Sequence, residues 1–302
     1  MATQTKRLRS PIGWFGGKGN MASKLLKLLP KHEQYVEPYF GGGSVFFAKT
    51  PCQHETINDA DEGVTGFFRV LRDRGEEFVA RCQLTEYSEV LYRDCRDTWH
   101  DEPDELLRAW KWFVVARQSF SRRFGAGQSH SRTESIRCMP GTCAQWQSAI
   151  DHLPEIVARL KCTQILTGDA LRALRCTDTP DCLAYLDPPY VHGTRIGGSY
   201  AHEMDDAAHI ALVDYLLNEW SGRAILSGYD CELYTPLTDA GWARVTYQTS
   251  CYAAGRTRAT GIIGDGAAMR MQGRTESIWL DPATAAEVLP AAQATLALEA
   301  AG

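Results

Sequence analysis

Asp187 and its neighbours form the first pattern with a chemical use. The apolar run 183–186 is typical of a buried strand, which must end at Pro188 and Pro189 because proline donates no backbone hydrogen bond. Asp187 therefore lies at the carboxyl end of a strand, where open α/β sheets bind ligands. Its carboxylate and the Pro188 carbonyl can accept both hydrogens of one exocyclic amino group, and Tyr190 can stack on a planar base. Taken alone, the motif is more typical of a plain proline turn with a half-buried tyrosine.

A glycine turn is the second pattern. Residues 34–37 read as a short strand that runs into Gly41–Gly43, and the apolar residues 45–47 follow as the start of a helix. A strand, a glycine turn and a helix in succession are typical of nucleotide sites, because glycine lets the backbone approach a ligand closely. Glu37, at the strand end, can bind a cationic or hydroxylated cofactor. The spacing is not that of a dinucleotide site, and the upstream run Gly13–Gly19 lacks the Ser or Thr of a phosphate loop.

Five landmarks occur in a fixed order along the chain. They are Trp14-Phe15-Gly16-Gly17-Lys18, Tyr35 to Gly43, Asn58-Asp59, Gly168-Asp169 and Asp187 to Tyr190. In this order they resemble the Dam-type (class alpha, D12 family) DNA adenine N6-methyltransferases, from about Pro11 to Pro282, strongly at the motifs and weakly between residues 75 and 161. The resemblance implies transfer of a methyl group from S-adenosyl-L-methionine to the N6 amino group of an adenine that is flipped out of duplex DNA.

The same resemblance implies a role for individual residues. The implied cofactor-binding residues are Trp14, Lys18, Glu37, Pro38, Phe40, Gly41, Gly43, Asp59, Asp169 and Asp187, and the implied catalytic residues are Asp187, Pro188, Pro189 and Tyr190. Asp59 would hold the ribose hydroxyls and Asp169 would lie near the adenine of the cofactor, although Ala170 stands where the family often has an aromatic residue. Each assignment has a plainer alternative: Asp59 and Asp169 are also suitable helix caps.

The expected mechanism is a direct in-line transfer, with no metal ion and no covalent enzyme intermediate. Hydrogen bonds from the amino group to Asp187 and Pro188 would aim the nitrogen lone pair at the methyl group. Alternatives remain. Cytosine N4-methyltransferases usually begin the motif with Ser, and enzymes that methylate protein amides would carry Asn at position 187. RNA is a further possible substrate, and a DNA-binding regulator with a catalytically dead cofactor pocket is the alternative without enzyme activity.

A basic segment, residues 117–137, is the candidate DNA-binding surface. Its candidate contact residues are Arg117, Gln118, Arg122, Arg123, Arg132 and Arg137. Arginine neutralises phosphates and makes bidentate contacts with guanine. This local group of positive charges would allow DNA binding although the whole chain has a net charge of −5 and a pI near 5.9. A solvated basic loop is the alternative. A second arginine group flanks the glycine-rich stretch 261–273, and the target sequence, GATC or another, is not identified by these residues.

The periodicity predicts an α/β fold, with strands near residues 34–37, 55–58, 164–167, 183–186, 223–227, 244–248 and 277–280. With the resemblance, this predicts a Rossmann-like S-adenosylmethionine-dependent methyltransferase sheet. Residues 1–74 and 162–302 would form the catalytic domain. Residues 75–161, with helices over 86–99 and 104–119, would form an inserted, mainly helical target-recognition domain.

The remaining expectations concern location and partners. The chain has no apolar run long enough to span a membrane and no hydrophobic signal core, and its ten cysteines lack the Cys-x-x-Cys spacing of a metal site. We therefore expect a cytoplasmic protein that associates with the nucleoid through double-stranded DNA. It would act as a monomer or weak dimer, with a restriction endonuclease as a possible partner and a phage or other mobile element as a possible setting.

Overall fold

The computed structural model describes residues 7–14, 16–191, 203–250 and 273–289. The second arginine group, with Arg256, Arg258 and Arg270, lies outside the described residues, as does the side chain of Arg274. All seven predicted strands are confirmed, most of them one or two residues longer than predicted. They are β1 (Gln34–Glu37), β2 (His54–Asp59), β5 (Thr163–Thr167), β6 (Cys182–Leu186), β7 (Arg223–Gly228), β8 (Ala243–Ser250) and β9 (Gly273–Leu280). Two strands of two residues each, β3 (Ser135–Ile136) and β4 (Met139–Pro140), form a separate hairpin.

The seven longer strands form one sheet in the order β5-β2-β1-β6-β7-β9-β8. Strands β5, β2, β1, β6 and β7 are parallel, and β9 pairs antiparallel with both β7 and β8. The strand order changes direction between β1 and β6, so the crevice for a ligand opens where these two strands end. Glu37 is the last residue of β1, and Asp187 directly follows β6. The α/β fold class is therefore confirmed, with both predicted site residues at the crevice.

Alternating side chains bury the two faces of the sheet in different hydrophobic clusters. On β6, Leu183 and Tyr185 join one cluster, whereas Cys182, Ala184 and Leu186 join the other. A strand that is apolar on both faces is expected where helices cover both sides of a parallel sheet. This double burial explains why β6 reads as a continuous apolar run instead of an alternating one.

Helices fill most of the intervals between the strands. They are α1 (Ala22–Leu25), α2 (Ser44–Ala48), α3 (Glu62–Asp73), α4 (Gly75–Gln83), α5 (Glu89–Thr98), α6 (Glu105–Gln118), α7 (Gly141–Leu160), α8 (Ala170–Thr177), α9 (Asp206–Asn218) and α10 (Thr235–Asp239), and residues 282–289 are also helical. The two helices predicted over 86–99 and 104–119 correspond to α5 and α6. Asp104 caps α6, because its side chain accepts a hydrogen bond from the Leu107 backbone.

The predicted inserted domain, residues 75–161, is mainly helical and shares its core with the part before it. The Phe67 ring of α3 stacks on Phe113 of α6, with centroids 5.2 Å apart, and on Trp112 at 5.3 Å. Phe78 of α4 packs against the same Phe67 ring at 5.6 Å. One hydrophobic cluster therefore spans the proposed boundary at residue 75, and the division into two domains stays a prediction.

Candidate active site

A single cavity of about 650 Å³ lies at the carboxyl ends of the parallel strands. All ten predicted cofactor-binding residues line it: Trp14, Lys18, Glu37, Pro38, Phe40, Gly41, Gly43, Asp59, Asp169 and Asp187. These residues come from the chain before β1 and from the ends of β1, β2, β5 and β6. Parallel strands bring their carboxyl ends to one edge, which is why residues so far apart in sequence share one wall.

The glycine turn after β1 needs glycine at two positions. Gly41 and Gly43 have φ angles of 48° and 63°, in the left-handed region that side chains rarely adopt. A Cβ atom on Gly41 would lie 2.6 Å from Nε1 of Trp14, and one on Gly43 would collide with the Phe40 ring. Asp59 fixes the turn, since its carboxylate accepts the Gly41 backbone N–H at 2.7 Å. The turn is therefore pinned between an aromatic wall and a carboxylate.

Of the two aspartates that could cap a helix, Asp59 and Asp169, only Asp169 does so in the structure. Asp61, and not Asp59, caps α3, because its side chain accepts the backbone N–H groups of Gly63 and Val64. Asp169 does cap α8, since its carboxylate accepts the Arg172 backbone N–H at 2.7 Å. Asp169 nevertheless lines the cavity, so capping and ligand binding are compatible at this residue.

Glu37 is a buried carboxyl group in the cavity wall, with only 2% of its surface exposed. The Tyr35 hydroxyl donates a hydrogen bond of 2.6 Å to it. Burial raises the pKa of Glu37 to about 8, although the Tyr35 hydrogen bond and the charge of Lys49 both act to lower that pKa. A cationic ligand in the cavity would favour the ionised form.

Asp187 is paired with Lys18. The Lys18 ammonium donates to Oδ1 of Asp187 at 2.6 Å and lies 3.3 Å from Oε1 of Glu276 on β9. Burial lowers the pKa of Lys18, but the two carboxylates outweigh burial and raise that pKa well above its usual value. Burial also raises the pKa of Asp187 and of Glu276, and Lys18 offsets part of each rise. One ammonium thus pairs with the half-buried carboxylate of Asp187 and the buried carboxylate of Glu276.

Tyr190 is buried beside this group, with 6% of its surface exposed. Its hydroxyl donates a short hydrogen bond to Glu276, and its ring meets Tyr229 edge to face, with centroids 4.6 Å apart. The Lys18 ammonium lies 4.8 Å from the centre of the Tyr190 ring. Pro189 lines the cavity. The predicted stacking face of Tyr190 is therefore largely covered in this conformation.

Sequence reasoning missed two side chains of this site. Glu276 contacts both Lys18 and Tyr190, but it lies on a strand near the end of the described chain and belongs to none of the five landmarks. Tyr185 lines the cavity, and its hydroxyl is 2.8 Å from that of Ser227 on the neighbouring strand. Glu276 lies in the polar first half of β9, between Thr275 and Ser277, so the local sequence carried no signal that marked it.

The candidate DNA-binding residues of the basic segment differ in how exposed they are. Arg122, Arg123, Arg132 and Arg137 are exposed. Arg137 is in the two-residue turn of the β3–β4 hairpin, with a φ angle of 54°. Arg117 is half-buried and donates to the Gln145 carbonyl at 3.0 Å, and burial lowers its pKa to about 10. Gln118 is 1% exposed and accepts a hydrogen bond from Gln128, so its prediction as a DNA contact is corrected: no duplex reaches it in this conformation.

The basic segment also adjoins the cavity. The Arg122 side chain packs over Gly13, where a Cβ atom would lie 2.9 Å from Cγ of the arginine. Trp14, the next residue after Gly13, forms part of the cavity wall and lies 6.2 Å, between ring centres, from Trp112. Trp112 in turn contacts Phe124 of the basic segment at 5.4 Å. A chain of aromatic contacts thus joins the cavity wall to the exposed arginines.

Comparison with known proteins identifies the family. The model of the D12 class N6 adenine-specific DNA methyltransferases matches residues 14–250. The chain belongs to this family. It is similar to the type II methyltransferase M1.LlaDCHI of Lactococcus lactis subsp. cremoris, with 26% identity over 205 residues that cover 65% of this chain and 71% of the relative.

Two further relatives of this family member carry adenine in their names. The DNA adenine methylase of Escherichia coli (strain K12) is 26% identical over 121 residues, which are 38% of this chain and 43% of the relative. The DNA N-6-adenine-methyltransferase of Escherichia phage P1 is 28% identical over 117 residues, 37% of this chain and 15% of the relative. These two matches therefore span less than half of each relative. Within the ranges that the structure describes, no helix has the length and apolarity to cross a membrane.

Proposed function

We propose that this D12 family member uses S-adenosyl-L-methionine to methylate the N6 amino group of adenine in double-stranded DNA. The observation that carries the proposal is the meeting of Asp187, at the end of β6, with the glycine turn after β1 in one cavity. The family match supplies the adenine and the DNA. Asp187 in place of Ser favours adenine over the cytosine N4 alternative.

The cavity wall fits this cofactor in charge and in shape. Its carboxyl groups suit a ligand with a sulfonium cation, an amino group and ribose hydroxyls, and its volume of about 650 Å³ suits a molecule of that size. A Cβ atom at Gly168, whose φ angle is 115°, would meet nothing within 4 Å, so the loop after β5 leaves open space for a ligand. When bound, the cofactor supplies an electrophilic methyl group.

Individual residues of the wall have distinct tasks in this proposal. Asp59 and the Gly41–Gly43 turn would hold the ribose, with Asp169 near the adenine of the cofactor, and Trp14 would cover the bound molecule. Glu37, once ionised, would balance the cationic end. The Asn58 amide supports this arrangement, since it donates at 2.9 Å to the Pro38 carbonyl and also to the Gly168 carbonyl, and so ties the two cofactor loops together.

Asp187 and Pro188 would activate the target nitrogen. The lone pair of an adenine amino group is delocalised into the ring, so the nitrogen is a poor nucleophile. Lys18 holds Oδ1 of Asp187, and Oδ2 remains to accept one amino hydrogen while the Pro188 carbonyl accepts the other. This pair of acceptors draws the nitrogen towards tetrahedral geometry and frees its lone pair. Positioning and electrostatics then carry the rate.

The target adenine has to leave the duplex to reach Asp187. Flipping costs a few kcal/mol, and stacking on an aromatic ring returns about 1–3 kcal/mol. Tyr190 supplies that ring in our proposal. Because its faces are largely covered by Lys18 and Tyr229, we infer that the base enters with a rearrangement of the Tyr190 side chain.

The exposed arginines of the basic segment are the proposed DNA contacts. Arg122 adjoins the cavity, because its side chain packs over Gly13 beside the Trp14 wall, and Arg123 follows it in the chain. Arg132 and Arg137 extend the positive surface onto the β3–β4 hairpin, and Arg117 would contribute its charge from a half-buried position. Gln118 is no longer part of the proposal.

The relatives suggest a biological setting. The type II methyltransferase and the phage enzyme favour a role in restriction-modification or in a phage genome, with a restriction endonuclease as the partner in the first case. We propose a cytoplasmic enzyme that acts as a monomer or weak dimer. The residues of the chain do not identify its target sequence, GATC or another. Mapping of the methylated positions in DNA would determine it.

The test is transfer of a labelled methyl group from S-adenosyl-L-methionine to unmethylated duplex DNA, followed by nucleoside analysis and mapping of the modified positions. We expect N6-methyladenine, with an RNA duplex and a protein extract as control substrates. N4-methylcytosine as the product would replace the proposal with the cytosine alternative. Cofactor binding without any transfer would favour the catalytically dead regulator.

A further inference from the structure

Glu276 is a charged residue of the site that none of the five landmarks contains. It lies on β9, opposite Tyr247 of β8, and only 6% of its surface is exposed. Burying a carboxylate is costly unless partners compensate it. Glu276 has two such partners, the Lys18 ammonium at 3.3 Å and the Tyr190 hydroxyl, which donates to it. Of these two partners, Lys18 also contacts Asp187, and Tyr190 follows Asp187 closely in the sequence.

The connections of Glu276 converge on the proposed catalytic carboxylate. Lys18 joins Glu276 to Oδ1 of Asp187, and Tyr190 is three residues along the chain from Asp187. A lysine side chain is long and flexible, so its ammonium would otherwise sample several positions. Two carboxylates hold it in one place. Fixing Lys18 also fixes which Asp187 oxygen is engaged.

We propose that Glu276 is a positioning residue for methyl transfer, which holds the Lys18 ammonium and the Tyr190 hydroxyl so that Asp187 presents its free oxygen to the target amino group. The inference rests on the proposed function. Glu276 acts through Lys18 and Tyr190 and has no contact with substrate in this account. It also makes the last described strand, far from the landmarks in sequence, part of the reaction machinery.

The primary test is Glu276→Gln, which keeps the shape and an oxygen acceptor for Tyr190 but removes the charge that holds Lys18. In single-turnover methylation we expect the rate to fall about tenfold to a hundredfold, the size expected for a lost hydrogen bond to a charged group. The dissociation constant of the cofactor should change much less than the rate, because Lys18 keeps its contact with Asp187. Glu105→Gln, the same change at an exposed glutamate of α6, is the matched control and should keep the wild-type rate.

The pH profile separates positioning from a merely structural role. The titratable groups that face Asp187 are Lys18, Glu37, Tyr185, Tyr234 and Glu276. In the wild-type protein, the Lys18 ammonium pairs with the carboxylates of both Asp187 and Glu276. Without the Glu276 charge, Lys18 pairs with Asp187 alone, which lowers the pKa of Asp187. The acid limb of the single-turnover rate should therefore move to lower pH. An unmoved limb, with a rate loss that parallels a fall in melting temperature, would overturn the inference.

A second variant tests the same contact from the side of Tyr190. Tyr190→Phe removes only the hydroxyl and leaves the charges of Lys18, Asp187 and Glu276 in place, and it should also slow the transfer. In a double-mutant cycle the two changes should be less than additive, because they act through one contact. Full additivity would refute the shared role. A wild-type protein that does not methylate adenine would instead refute the proposed function itself.

Discussion

Glu37→Gln should change how the stability of the protein depends on pH. The folded pKa of Glu37 is about 8 because the group is buried, against 4.5 for an unperturbed glutamate. The folded state therefore binds more protons than the unfolded state between these values, and this group makes the protein less stable as the pH rises through that window. Glutamine keeps the Tyr35 hydrogen bond and does not titrate.

The size of this change in stability follows from the pH range between the unfolded and the folded pKa of Glu37. From pH 6 to pH 8 the stability contributed by Glu37 should fall by about 2 kcal/mol, at 1.36 kcal/mol per pH unit with levelling near the folded pKa. The free energy of unfolding of the variant minus that of wild type should therefore rise by this amount from pH 6 to pH 8. The variant should also bind a cationic cofactor more weakly, so it gains stability at high pH and loses cofactor affinity.

Urea denaturation of wild type and variant at pH 6 and at pH 8 measures the effect. Other titrating groups, such as His32, are common to both proteins, so they cancel in the difference between the two free energies of unfolding. Equal differences at the two pH values would show that Glu37 titrates normally in the folded state. In that event the account of the buried, cofactor-facing carboxyl would be wrong.

Three further perturbations test other parts of the site. Asp187→Asn should slow methyl transfer at least about a hundredfold, measured in single-turnover assays. Its loss of stability should stay below about 3 kcal/mol, because the buried Lys18 keeps a second carboxylate partner 3.3 Å away. Arg122→Ala with Arg123→Ala should flatten the dependence of DNA affinity on salt by a slope of about 2, read from titrations at several salt concentrations. Gly43→Ala should cost about 1–3 kcal/mol of stability in urea denaturation, because of its φ angle of 63°.

Matched variants control these outcomes. Arg93→Ala with Arg96→Ala removes two arginines from α5, outside the basic segment, and should leave the salt dependence of DNA binding unchanged. Equal slopes for the two double variants would remove Arg122 and Arg123 from the interface. Gly66→Ala, at a helical glycine whose Cβ atom would meet nothing within 4 Å, is the control for Gly43→Ala and should not destabilise the protein.

The elements that sequence reasoning found are those with strong local signals. A continuous apolar run marked β6 and a glycine turn marked the end of β1, and the periodicity of the sequence predicted the other five strands of the sheet. The β3–β4 hairpin was missed because its strands have two residues each and its turn residues, Arg137 and Cys138, have φ angles of 54° and 61° without being glycine. Gln118 was assigned to the DNA surface because a polar residue in a basic segment looks exposed, and only packing shows that it is buried.

The sequence by itself predicted which residues share the cavity. Except for Trp14 and Lys18, which precede β1, the predicted cofactor-binding residues lie at the end of a strand or in the turn after it. Parallel strands end at one edge, so local order along the chain was enough to predict a common cavity for them. Only the tertiary structure decided the charges around Asp187. Lys18 is 169 positions away from Asp187, and Glu276 is 86 positions away from Tyr190. Contacts across such separations follow from how the sheet closes and what it buries, which no local pattern of residues encodes.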